Sequence, residues 1–174
     1  MEHCWYFVEG ECEKRLIEAL KLDPPMLKAG KITIYNVIQK KLSRSLLMSV
    51  LPKTTVVLAF DTDLMKTDIL EQNIALLRRY GREIRIIYLP QVRNFEDEIE
   101  RCCHLEKAAD LTSSRSKKDF KKDFCRMKVR DCRHALKRHR FNCDLMWSTQ
   151  VPESYRFIKK NSNQIKIIQN KNDA

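Results

Sequence analysis

The run Val56-Val57-Leu58-Ala59-Phe60 passes directly into Asp61-Thr62-Asp63. An unbroken apolar run bounded by Pro52-Lys53 and by acids reads as a strand buried on both faces. Asp61 and Asp63 close it one residue apart, so their side chains share a side wherever the extended geometry persists. At ~4 Å two carboxylates repel by roughly 4 kcal/mol at an effective dielectric of about 20. A hard divalent cation relieves that repulsion, which makes the pair a candidate oxygen-ligand site. The competing reading is a helix-capping Asp beside a solvated one. Glu9 and Glu13 lie four apart across a strand-to-helix turn and can face the same site. With an acid from the 96–98 group, they form an all-oxygen set suited to Mg²⁺ or Mn²⁺ rather than zinc. Two such ions about 4 Å apart activate a water and stabilise the leaving oxygen of a phosphodiester, and a nearby lysine neutralises the developing charge. Surface pairing of these acids with Lys14, Arg15 or Lys66 is the alternative.

The elements that must position these acids follow from apolar spacing. Trp5-Tyr6-Phe7-Val8 is a strand ending at Glu9, and Gly10 permits a tight turn. Glu11 to Lys21 puts Leu16, Ile17 and Leu20 on one helical face and acids in its first turn, ending before Asp23-Pro24-Pro25. After Ala29-Gly30, Lys31 to Val37 alternates as a second strand, and Ile38 to Leu51 fits a helix stopped by Pro52. The central strand is followed by a helix near Thr67 to Tyr80, with Gly81 as its exit. Ile84 to Leu89 is a fourth strand stopped by Pro90, and Asn94 opens a helix beginning Phe95-Glu96-Asp97-Glu98. Four strands alternating with helices predict an α/β, Rossmann-like fold: a four-stranded parallel sheet flanked by helices. The carboxyl ends of its strands are where ligands gather.

Charge divides the chain in two. The net +11 lies wholly beyond residue 100: residues 1–100 carry 15 basic and 15 acidic side chains, residues 101–174 carry 19 and 8. We read 1–103 as a catalytic-type unit and 104–174 as a basic, mainly helical extension packed on it, fitted to hold a polyanion. Ser113 to Arg140 is its densest part, with twelve Lys or Arg against three Asp. Arg115, Lys117, Lys118, Lys121, Lys122, Arg126 and Arg130 are the candidate phosphate contacts. Such contacts give salt-sensitive affinity with little base reading. Phe120, Phe124, Val129, Leu136 and Phe141 read as the inner face of two helices rather than as stacking platforms, and Ser113, Ser114 and Ser116 as loop and N-cap residues. A solvated basic helix without a partner is the bland alternative. In the last stretch Trp147 and Tyr155 pack the extension onto the core, and Ile165 to Ile168 is a short strand or an edge.

No apolar segment suggests a signal peptide or a membrane span, and seven scattered cysteines suggest reduced thiols in a cytoplasmic protein. Cys102-Cys103-His104, Cys125, Cys132, His134, His139 and Cys143 contain no Cys-x-x-Cys pair, which argues against zinc, and buried cysteine is common for packing alone.

Val8-Glu9-Gly10-Glu11 and, after a later strand, Phe60-Asp61-Thr62-Asp63 resemble the Toprim domain of topoisomerases, bacterial primases, small ribosomal-RNA-maturing nucleases and overcoming-lysogenization-defect type nucleases. The resemblance covers roughly residues 3–103 and lacks the extra domains of topoisomerases and primases. It implies Glu9 as the signature glutamate, Asp61 and Asp63 as the acidic pair and Glu13 as a second acid one turn on. A further metal-binding acid falls at Glu96 or Glu98, with Glu98 preferred. A lysine from beyond the core falls among Lys117, Lys118 and Lys121, of which Lys118 and Lys121 stand as catalytic candidates. The resemblance thus implies a Mg²⁺- or Mn²⁺-dependent nuclease acting on DNA or RNA, in phage defence or RNA processing. The alternatives are a non-catalytic nucleic-acid-binding or partner-regulating module, and an effector restrained by a separate ATPase subunit.

Overall fold

The computed structural model describes residues 3–80 and 83–167. Strand β1 (Cys4–Val8) leads into helix α1 (Glu11–Leu20), then β2 (Lys31–Ile34), a short α2 (Arg44–Met48) and β3 (Thr55–Asp61). Helix α3 (Asp68–Tyr80), β4 (Arg85–Gln91) and α4 (Phe95–Cys103) complete the first part. A four-residue α5 (Ala109–Thr112), α6 (Lys117–Arg126) and α7 (Val129–Arg138) follow, and two 3-10 turns lie at Glu153–Tyr155 and Ser162–Ile165. The fold is α/β, with a four-stranded, all-parallel sheet in the order β2-β1-β3-β4. Helices cover both faces, as a Rossmann-like arrangement requires. The chain steps outward from β1 to β2, then returns to place β3 on the other side of β1. That reversal opens a crevice at the carboxyl ends of β1 and β3, the strands carrying Glu9 and Asp61.

Alternation along the strands sorts two cores. Tyr6, Val8, Val57, Ala59, Ile87 and Leu89 face α1, α4, α6 and α7. Trp5, Phe7, Val56, Leu58, Phe60 and Tyr88 face α2, α3 and Tyr155. Phe120 and Phe124 pack against Phe95 of α4, so residues beyond 103 share the first core rather than forming one of their own. Trp147 and Tyr155 are likewise buried.

Several boundaries differ from the sequence expectation. The segment 38–42 is a loop, because the fully buried Asn73 of α3 accepts from Leu42 N (2.7 Å) and donates to Val37 O (2.9 Å) and Lys40 O (2.8 Å). Ser43 then caps α2 through Leu46 N. Strand β4 continues through Pro90 instead of stopping there. Proline is tolerated because β4 is an edge strand, and its outer side is satisfied by Asn161, which accepts from Tyr88 N and donates to Ile86 O. Gly10 is extended, with negative φ, so no left-handed turn is needed there. Gly30 is constrained by space, since a Cβ there would lie 2.5 Å from the Cys4 carbonyl oxygen. Ser162–Ile165 form a 3-10 turn, and within the short strand or edge expected at 165–168 Lys166 makes an isolated antiparallel bridge with Leu27, while Gly81 and Ile168 lie outside the described residues.

The cysteines are not all reduced thiols. Cys12 of α1 and Cys125 of α6 form a disulfide across 113 residues, a pairing no local spacing announces. Cys102, Cys103 and Cys132 are buried free thiols, Cys143 is half-buried, and Cys4 is buried in the first core. Among the described residues no helix is long and apolar enough to cross a membrane.

Candidate acid cleft at the carboxyl edge

Glu9 leaves β1 and turns toward β3. Its Oε2 accepts from the Asp61 backbone N–H (3.2 Å) and its Oε1 from Asn36 Nδ2 (2.8 Å). Asn36 is held in turn, its Oδ1 accepting from the N–H groups of Ile38 and Gln39. This orienting residue was absent from the sequence analysis, where Asn36 fell inside the expected second strand, whereas β2 ends at Ile34, two residues before it. Glu13 is the third residue of α1, and its Oε2 accepts from Gly10 N at 2.9 Å. That bond caps the helix and turns the carboxylate inward beside Glu9.

Asp61 ends β3, and its register after Phe60 points it to the α1 and α6 face. Its Oδ1 is buried with no hydrogen-bond partner. Burial, then the charges of Glu9, Glu13 and Asp63, push its pKa up to about 8, against a smaller opposing effect of Lys121. Burial likewise raises the Glu13 carboxyl, with Glu9 adding to it and local backbone amides partly opposing. These carboxylates line a cleft of about 210 Å³ with Cys12, Phe95 and Lys121. Asp63 is exposed beyond the rim, close enough for its charge to reach Asp61.

Lys121 closes the cleft from α6. Its Nζ lies 3.1 Å from Oε1 of the fully buried Glu96, a close ion pair without hydrogen-bond alignment. Burial works against the ammonium, but Glu96, Asp61 and Glu13 together raise its pKa. The Cys12–Cys125 bond and an Arg15 Nη2 contact to Cys125 O tie α6 to α1, which fixes the approach of Lys121.

Glu98 lies elsewhere. One carboxylate oxygen pairs with Arg101, and the other accepts from Trp147 N at 2.6 Å. Residues two apart on a helix stand about 200° apart, so a helix that turns Glu96 toward α6 must turn Glu98 away. The preference for Glu98 over Glu96 is therefore corrected: Glu96 is the acid of this helix that meets Lys121. Lys118 is exposed and does not line the cleft, as is true of Arg115 before α6, of Lys117, Lys122 and Arg126 on α6, and of Arg130 on α7. These cations clothe the outside of α6 and α7, whose inner faces carry Phe120, Phe124 and Leu136.

Among the described residues no three His, Cys, Asp or Glu side chains are set to hold one metal ion. The edge nevertheless has surplus acceptors. Asp61 Oδ1 and Oε1 of the buried Gln91 lack hydrogen-bond donors. Mg²⁺ commonly uses one or two carboxylates and keeps several waters, so the donor set fits such an ion without a preset cage. A second opening of about 680 Å³ lies around His3, Trp5 and Leu51, with no carboxylate in its lining. Compared with protein-family models, curated proteins and solved structures, the chain matches none.

Proposed function

We propose that the chain is a Toprim-like, divalent-metal-dependent nuclease that hydrolyses phosphodiesters of DNA or RNA. The observation that carries this reading is the meeting of Glu9, Glu13 and Asp61 at the β1/β3 switch point, with Lys121 entering from a basic helix. Glu9 and Asp61 would hold Mg²⁺ or Mn²⁺, with Asp63 at the rim and Glu13 behind. The ion would supply charge neutralisation at the scissile phosphate and an activated water. Asn36 orients Glu9, and Glu96 holds Lys121 beside the cleft, where its ammonium can meet a phosphate oxygen. The exposed cations of α6 and α7 bind the backbone on either side, so affinity falls steeply with salt.

The test uses purified protein with Mn²⁺ and labelled single- and double-stranded DNA and RNA. Glu9→Gln and Asp61→Asn should each cut about a hundredfold more slowly or worse, on the scale of losing one transition-state charge partner. Salt-sensitive binding should persist in both. Binding indifferent to chelator and to both substitutions, with no cutting by the wild type, would leave a nucleic-acid-binding module instead.

A further inference from the structure

On the sheet face opposite α6, a stack of aromatic rings climbs to the surface from the strand end that carries Asp61. Phe60 is fully buried at the end of β3, one residue before Asp61. Tyr155 stacks on it with ring centres 6.0 Å apart and planes 19° apart. Phe157 stacks on Tyr155 at 6.4 Å and 21°. The Tyr155 hydroxyl donates to Leu64 O at 2.8 Å, which ties the stack to the loop that carries Asp63. Phe157 is 40% exposed, and Met65 on that loop is 82% exposed. Lys66, Lys159 and Lys160 are exposed in the same two segments.

An isolated exposed phenylalanine needs no explanation. This ring differs because it is braced from behind by two stacked aromatics, shares its segments with cations and rests on Tyr155, which is tied to the loop carrying Asp63. An aromatic face engages only an unpaired base, since a duplex hides its base faces in the helix stack. Resting on the nuclease reading, we propose that Phe157 is a stacking platform for an unpaired base of a single-stranded nucleic acid. The backbone of that strand passes over the acid cleft toward α6, so the preferred substrate class is single-stranded rather than duplex.

The experiment measures anisotropy of a dye-labelled oligothymidylate, alone and paired with oligoadenylate, in EDTA so that nothing is cut. Phe157→Ala should weaken single-strand binding about tenfold, within the range for one stacked base, and leave duplex binding unchanged. Phe157→Trp should restore affinity and show indole quenching on binding that the wild type lacks. Thermal unfolding monitored by circular dichroism confirms that both variants are folded. Equal single-strand affinity of wild type and Phe157→Ala overturns the proposal, as does an equal loss on both forms. Wild-type protein that binds neither form at low salt overturns the nucleic-acid reading itself, a result distinct from a silent Phe157.

Discussion

Asp61 is where the electrostatic cost of the cleft concentrates. Its carboxyl is half-buried, borders two glutamates and has one buried oxygen without a donor. With a folded-state pKa near 8 against 3.8 for the free side chain, the folded protein keeps a proton that the unfolded chain releases. Stability from this group is therefore full below about pH 4 and declines as pH rises toward 8, because the native state binds more protons across that window. Asp61→Asn, which cannot ionise, should melt close to wild type at pH 4 and clearly above it at pH 8. Added Mg²⁺ should narrow the gap by stabilising only the wild type. Thermal melts across the pH range check this, and a gap that does not widen with pH would show that Asp61 is not strained by its neighbours. Glu98 meets burial differently: burial raises its carboxyl too, but Arg101 and the Trp147 amide supply partners to its oxygens and oppose that rise.

Helix α6 joins two properties that its sequence keeps separate. Phe120 and Phe124 fix its inner face against Phe95, while Lys117, Lys118 and Lys122 stay in solvent. Lys121 stands at the seam, 57% exposed yet paired with a carboxylate that is wholly buried. Reversing Lys117, Lys118 and Lys121 to Glu should weaken nucleic-acid binding at least about tenfold at moderate salt and flatten its salt dependence. Unchanged titrations would remove this surface from the binding face. The two amphipathic helices were legible from charge and spacing. The rotation of α4 was not, because Glu96 and Glu98 are equally acidic and nothing in their order says which one meets α6.

The molecule as a whole is less divisible than its charge suggests. Neutral and basic stretches meet at residue 100, yet Leu16, Ile99, Phe120, Phe124 and Leu136 belong to one core. A disulfide further joins α1 to α6 across that boundary. A chain of residues 1–103 would leave the hydrophobic sides of α1 and α4 in water, a loss larger than the marginal stability of a domain. It should show no cooperative melt, whereas the full chain should unfold in a single transition. Differential scanning calorimetry distinguishes the two cases, and a cooperative melt of the short chain would establish an independent unit.

The sequence alone determined the elements and their order. Apolar runs and helical spacing are local properties, and the positions of Glu9 and Asp61 relative to strand ends follow from them. Tertiary structure decided the partners: Asn36 for Glu9, Glu96 rather than Glu98 for Lys121, Cys125 for Cys12, and the Phe60-Tyr155-Phe157 stack. Each of these pairings depends on how one element is rotated and docked against another far along the chain. Those angles are set by the packing of whole faces, and no local spacing encodes them.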